Sequence, residues 1–216
     1  MHLQHKALLA TGAIMATNAP SSGFPVRIVS DLADMCLIAN EDVDGVIWRR
    51  ETPPSVTGLL NAPATDERSE SRATMSLPAV RDQARTFMDG LARGDCAVQE
   101  WISSDIALLS RHFADIMALN AVDLRMEIVS DDACRKFHQD TVSARLICTY
   151  SGPGTEFGVS MDGGDPDVVY SVPTGCPVLL KGKSWSGASQ PLTVHRSPPV
   201  EGTGVSRLLV VIGEPR

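Results

Sequence analysis

The stretch RKFHQDTVSARLICTYSGPGTEFGVS, Arg135 to Ser160, holds two runs of strand type, ARLICTY and TEFGVS, on either side of a Gly-Pro-Gly turn. Ahead of the first run stand a histidine and an aspartate one residue apart. In extended backbone successive side chains point to opposite faces, so His138 and Asp140 project from one face and Gln139 from the other, which aims two ligand-type groups at one point. Outward from this stretch the pattern continues as LRMEIVS, RKFHQD itself, DVVYSV, PVLLKG, LTVHRS and RLLVVIG. Short β-type runs of this kind, separated by Gly, Pro and Asp, predict a sandwich or jelly-roll barrel and not a parallel α/β sheet.

Before Asn120 the character differs. Two helical patterns are expected, over Leu77 to Leu91 and over SDIALLSRHFADIMAL, where Ser104 is a candidate cap and Ile106, Leu109, Phe113, Ile116 and Met117 recur at helical spacing. Glu51 to Ser76 is rich in Pro, Ser, Thr and charge and reads as a loop or linker. Residues 1 to about 25 read as a loose lead-in, and PVRIVSDLADMCLIANEDVDGVIWRR as short mixed elements ending in a strand-like GVIW. The expected fold class is mainly β with N-terminal helices (α+β) around a double-stranded β-helix, or jelly-roll, core. The expected division is an N-terminal segment over 1–76 with a polar linker, then helices and a jelly-roll metal-binding domain over 77–216.

Of the 216 residues 43% are hydrophobic and 21% charged, ordinary values for a globular chain. A net charge of −7 with no Lys/Arg cluster argues against nucleic acid as a partner. No segment approaches the roughly 18 apolar residues of a membrane helix, so no membrane partner is expected. Five scattered cysteines without a CxxC pair suit a reducing compartment, hence a cytoplasmic location. The start, MHLQHKALLATGAIMATNA, loosely imitates a signal peptide, but Thr11 and Gly12 interrupt its apolar run.

His-x-Asp alone is a weak signal, and its context strengthens it. His195 ends another strand-like run, LTVHRS. Two imidazoles and one carboxylate on a jelly-roll scaffold make a 2-His-1-carboxylate triad, which leaves coordination positions open on Fe(II). Taken singly, each of His138, Asp140 and His195 is equally a polar residue on a surface strand. Cys134, four positions before His138, has a spacing that could suit zinc, or is a small buried hydrophobe. SGPGTE lacks the Lys-Ser/Thr of a phosphate loop and reads as a hairpin turn in which Gly152 and Gly154 permit unusual φ.

In order, His138-Gln139-Asp140, a strand, the turn Gly152 to Phe157, the V-P-T-G-x-P-V-L-L segment Val172 to Leu180, then His195 and Arg207 resemble the catalytic core of Fe(II)/2-oxoglutarate dioxygenases of the prolyl-hydroxylase-like kind. More narrowly, CRKFHQD, RLICTYSGPGTEF, LLKGKSW and HRSPP resemble a bacterial family catalogued as a domain of unknown function, number 1826, from about Val46 to the C-terminus. The dioxygenase resemblance implies His138, Asp140 and His195 as metal ligands and catalytic centre. It also implies a basic residue beyond the distal histidine that holds the far carboxylate of 2-oxoglutarate. Arg207, 12 positions after His195, stands near that place, at a slightly long spacing.

Arg207 could instead form an ion pair at the barrel rim, with Arg145, Arg196 or Lys181 as the clamp. Thr149 and Tyr150 are candidates to hydrogen-bond the co-substrate, and both are also ordinary strand residues. The expected function is an Fe(II)- and 2-oxoglutarate-dependent dioxygenase or hydroxylase with a small-molecule co-substrate and an unidentified primary substrate. The alternative is a non-catalytic jelly-roll protein that holds Zn(II) and serves metal homeostasis. An interaction module with a degenerate metal pocket is a third reading.

Overall fold

The computed structural model describes residues 14–15, 23–60, 69–91, 93–132, 134–187 and 189–215. In chain order its elements are β1 (Ile14–Met15), β2 (Val26–Val29), a 3-10 helix (Leu32–Ala39), β3 (Gly45–Trp48), α1 (Pro54–Thr57), β4 (Glu70–Ser76), a 3-10 turn (Leu77–Ala79), α2 (Val80–Gly90) and α3 (Cys96–Met117). There follow β5 (Ala121–Val129), β6 (Ala144–Ser151), β7 (Glu156–Val159), β8 (Tyr170–Ser171), β9 (Pro177–Lys181), β10 (Thr193–Arg196) and β11 (Arg207–Gly213). The protein is mostly β with a few helices. A seven-stranded sheet runs β2-β3-β9-β6-β11-β5-β4, and a four-stranded sheet runs β1-β8-β7-β10. Pairing is antiparallel except at β1/β8 and β2/β3.

Alternation along the strands sorts the large sheet into two faces. Leu146, Cys148 and Tyr150 of β6, Leu208, Val210 and Ile212 of β11, and Val122, Leu124 and Met126 of β5 join one core cluster with the buried stripe of the helices. That stripe is Val80, Ala84 and Met88 of α2 and Val98, Ile102, Ile106, Leu109 and Phe113 of α3. The intervening residues Ile147 and Leu209, with Val178 and Leu180, form a second cluster with Phe157 of the small sheet. The second face is where polar groups collect: Arg145, Thr149 and Arg207 share its parity.

The helical expectation over Leu77 to Leu91 corresponds to the 3-10 turn plus α2. The second helix starts earlier than expected. Its N-cap is Asp95, whose carboxylate accepts the Val98 N–H at 2.9 Å, and Ser104 lies within the helix with its hydroxyl on Glu100. The stretch 51–76 is not all loop: it contains α1 and the seven-residue β4, paired with β5 from Glu70↔Glu127 to Ser76↔Ala121. β4 is an edge strand without a buried residue, held by its pairing with β5, by the Arg72–Asp123 ion pair and by partly buried Met75, too little apolar alternation to reveal it in the sequence. RKFHQD contributes one bridge, at His138, in place of a strand. DVVYSV shrinks to the two residues of β8.

Strands from both sides of residue 76 share the large sheet: β2, β3 and β4 on one side, β5, β6, β9 and β11 on the other. The signal-like run falls largely outside the described residues. Among the described residues no helix is long and apolar enough to cross a membrane.

Candidate metal centre

His138 and His195 face each other across the bridge that joins the loop before β6 to β10. The His138 N–H donates to the His195 carbonyl at 3.0 Å and the His195 N–H to the His138 carbonyl at 2.9 Å. Such a mutually bonded antiparallel pair sends both side chains to the same face, and the ring centroids stand 4.6 Å apart. Gln139 points the other way and donates to the carbonyls of Pro191 and Thr193, holding the loop along β10. Asp140 then returns to the histidine face, as parity requires.

One ligand atom from each of His138, Asp140 and His195 lies within 4.8 Å of the others. Asp140 Oδ1 is 4.0 Å from His138 Nε2, and Oδ2 is 3.4 Å from His195 Nε2. Two atoms bound to one ion at about 2.1 Å can be no more than about 4.2 Å apart, so Asp140 can share a cation with either histidine, and a set that spans as much as 4.8 Å must draw in slightly to hold one ion with all three donors. The tautomer fits as well. His138 Nδ1 lies 2.9 Å from the Lys136 carbonyl, which can only accept, so Nδ1 carries the proton and Nε2 offers its lone pair. Asp140 Oδ2 is buried and receives no directed hydrogen bond, although Arg145 Nε stands 3.2 Å away. Burial pushes the Asp140 carboxyl up, and His195, Arg145 and His138 outweigh it, so the group sits below the ordinary carboxylate range. A carboxylate ionised, buried and short of a donor is suited to a cation.

Distant backbone contacts set these ligands in place. The Asp44 carboxylate, itself buried, accepts from the Leu192 and Thr193 N–H groups and the Thr193 hydroxyl at 2.7, 3.1 and 3.3 Å, and so fixes the start of β10. The Asp140 carbonyl accepts the Lys183 N–H at 2.9 Å, and Gly182 lets the two segments meet: a Cβ there would overlap the Val142 carbonyl oxygen and stand 2.7 Å from that of Asp140. Neither Asp44 nor Gly182 was singled out from the sequence. The signal for Gly182 was its place in LLKGKSW, and Asp44 offered none.

Beside the triad lies a cavity of about 90 Å³, bounded by Ile147, Leu209 and Val211 on the sheet and by Thr155, Arg196 and Ser197 opposite. Arg207 is fully buried behind this wall. Its Nη1 donates to Ser197 Oγ at 2.9 Å, Nη2 to Thr149 Oγ1 at 3.1 Å and Nε to the Pro153 carbonyl at 2.7 Å. Among the described residues no carboxylate pairs with it, and burial lowers its pKa to about 10. The turn that supplies Pro153 presses close: Gly152 has φ +82°, and a Cβ on it would lie 3.1 Å from Arg207 Cα. Gly154 has no positive φ and is required for space instead, since a Cβ would overlap the Val172 carbonyl.

The other sequence candidates divide. Arg145 faces the triad, and Thr149 belongs to the Arg207 anchor. Tyr150 is not brought to the site. Its parity puts it on the helix face, where its hydroxyl donates to Asp105 at 2.6 Å beside the Arg50–Asp105 ion pair. Lys181 also faces away and donates to the Asn40 carbonyl at 2.8 Å. Arg196 lines the cavity but is held by Glu156 at 2.6 Å. Cys134 borders the cavity, and its sulfur is not in the ligand group.

The family described as Protein of unknown function (DUF1826) matches residues 29–212. The chain belongs to this family. No curated protein matches it. Among solved structures, this DUF1826 protein is similar to the dioxygenase for auxin oxidation in rice, at 12% identity and a TM-score of 0.48 over 88% of this chain and 82% of that one. It is also similar to the dioxygenase for auxin oxidation 1 from Arabidopsis thaliana in its binary complex with 2-oxoglutarate, at 13% identity and a TM-score of 0.47 over 89% of this chain and 93% of that one. Identities this low leave the function of the DUF1826 protein to be read from its own side chains.

Proposed function

We propose that this protein is an Fe(II)- and 2-oxoglutarate-dependent dioxygenase that hydroxylates a small substrate from a jelly-roll core. The observation that carries the reading is Arg207, a buried guanidinium without a carboxylate partner among the described residues, one hydroxyl behind the wall of a cavity that holds a two-histidine, one-aspartate set. A buried cation is expensive to leave uncompensated, and a dicarboxylate co-substrate would supply the missing charge through a strong, charge-assisted bond.

In this reading His138, Asp140 and His195 hold the metal, and Arg207, positioned by Thr149, Ser197 and Pro153, takes the far carboxylate. Bound iron would supply the oxidising chemistry, in which 2-oxoglutarate and O2 become succinate and CO2 while one oxygen atom enters a C–H bond of the substrate as hydroxyl. The Lys136 carbonyl holds the His138 tautomer whose Nε2 can ligate, the basic neighbours keep Asp140 ionised, and Ile147, Leu209 and Val211 exclude water. The five free thiols suit the reducing cytoplasm.

A zinc-binding, non-catalytic protein would use the same three donors. It would leave Arg207 without a role. The test is succinate formation: purified protein with Fe(II), ascorbate, O2 and 2-oxoglutarate should release succinate, detected by NMR, even without its substrate, and Asp140→Ala should not. Retention of Zn(II) with no succinate from the wild type would transfer the protein to the zinc reading.

A further inference from the structure

We infer that the substrate presented to the triad carries an anionic carboxylate or phosphate group, bound by Arg145 with Arg125 beside it where the triad cavity opens into its neighbour. The inference rests on the proposed function. The neighbouring cavity, of about 220 Å³, shares Arg125, Arg145 and Val211 with the triad cavity and ends at Gly213. Together the two spaces approach the lower end of the roughly 300–1,000 Å³ usual for ligand pockets.

Arg145 differs from Arg50, Arg72 and Arg196, each of which has a carboxylate partner. Arg50 is bound bidentately by Asp105, while Asp123 pairs with Arg72 and Glu156 with Arg196. Arg145 donates no hydrogen bond to any described residue. Its one close counter-charge is Asp140 Oδ2, 3.2 Å from Nε but not aligned with it, and that carboxylate is claimed by the metal. Arg125 beside it is already paired with two carboxylates, Glu127 and, from its Nε at 3.4 Å, Glu70, so it adds positive charge next to Arg145 while Arg145 supplies the free donor. The acids of the neighbouring cavity are already engaged: Asp123 with Arg72, and Glu214 with the Ser143 N–H. A buried guanidinium N–H that makes no hydrogen bond, as at Arg145 Nε, is a donor in want of an oxyanion.

The register separates this place from the co-substrate site. Arg145 lies opposite Gly213 at the end of β11, and Arg207 begins the same strand. Six residues of strand put their backbones about 20 Å apart, with Leu209 and Val211, which border the triad cavity, between them. Gly213 leaves the space beside Arg145 open, since a Cβ there meets nothing within 4 Å. The co-substrate and the substrate anion therefore approach the metal from opposite ends of β11.

The test uses full-length protein loaded with Mn(II) and saturated with 2-oxoglutarate, and two probes, inorganic phosphate and carbon-13-labelled acetate. Saturable paramagnetic broadening of one probe's NMR signal is expected, and the probe that binds more tightly assigns the group. Arg145→Gln and Gly213→Leu should each weaken that binding at least tenfold while Mn(II) stays bound by its EPR signal. Lys181→Gln, on the opposite face of the sheet, should keep it. Equal broadening in Arg145→Gln and Gly213→Leu, an equal loss in Lys181→Gln, or no saturable broadening by either probe in the wild type overturns the inference. A wild type that binds no Mn(II) removes the proposed function instead, and calorimetric phosphate titration of wild type against Arg145→Gln then decides the arginine site.

Discussion

His138 and His195 exchange both of their backbone hydrogen bonds, at 3.0 and 2.9 Å, across an isolated bridge. The two imidazoles are therefore placed by main-chain geometry before any metal arrives, and Asp140 joins them by parity. A centre built this way should bind a divalent ion with little rearrangement and be stabilised by it. Mn(II) at about 100 times its Kd should add about 2.7 kcal/mol, which for a chain of this size raises Tm by roughly 5–11 °C. Scanning calorimetry should show that rise in wild type and not in Asp140→Ala, whose own Tm without metal should stay close to that of wild type. An equal rise in the variant would place the ion elsewhere.

Asp44 should act on the metal from a distance. Replacing it with Ala removes charge-assisted bonds to two N–H groups at the start of β10, a loss of about 2–4 kcal/mol in urea unfolding, and frees the strand that carries His195. Metal affinity should fall with it, and Asp44→Asn should recover part of both. If Asp44→Ala loses stability but binds Mn(II) as wild type does, β10 is fixed by its pairing with β7 alone.

Gly182→Ala should weaken metal binding while leaving the histidine bridge intact. The added methyl must displace the carbonyls of Val142 or Asp140, an overpacking strain of about 1–3 kcal/mol placed on the loop that aims Asp140. Mn(II) titration by EPR measures it. Unchanged affinity would show that the loop yields without moving the carboxylate.

Arg207 should lower the stability of the protein it serves. Burial depresses its pKa from the ordinary guanidinium range to about 10, so the unfolded chain holds the proton more tightly. The penalty is thus fully present below pH 10 and is relieved only as pH rises through that value. At 1.36 kcal/mol per pH unit it amounts to about 3 kcal/mol. Arg207→Met should therefore be as stable as wild type or more so in the absence of ligands, despite three lost hydrogen bonds, and should bind no 2-oxoglutarate. A destabilisation beyond about 2 kcal/mol in urea unfolding would make Arg207 a structural residue.

The sequence made the triad legible because its information is local: one-residue spacing puts His138 and Asp140 on one face, and LTVHRS reads as a strand. The same parity shows why Thr149 and Tyr150 could not both reach the site. In ARLICTY the alternation of Arg145, Ile147 and Thr149 against Leu146, Cys148 and Tyr150 already divides the two faces, and Tyr150 falls with the helices. β4 was illegible because ESRATMS carries a single apolar anchor, Met75, and owes its order mainly to pairing with β5. The start of α3 was missed because Ser104 and Asp95 are both acceptable cap residues, and only the packing of Val98 and Ile102 selects the earlier one. Asp44 acts on Leu192 and Thr193 through backbone amides far along the chain, a contact with no sequence pattern.

The central claim, that Arg207 and the triad together hold 2-oxoglutarate on iron, is tested most directly by anaerobic titration of 2-oxoglutarate into Fe(II)-loaded protein followed by visible absorption. Wild type should develop a weak, saturable charge-transfer band. Arg207→Ala, with its iron still bound, should need roughly 30-fold to several-thousand-fold more 2-oxoglutarate, the equivalent of about 2–5 kcal/mol for a charge-assisted bond in a dry site. An iron-loaded wild type that shows no band at millimolar 2-oxoglutarate, or a variant that binds it as tightly as wild type, would contradict the account.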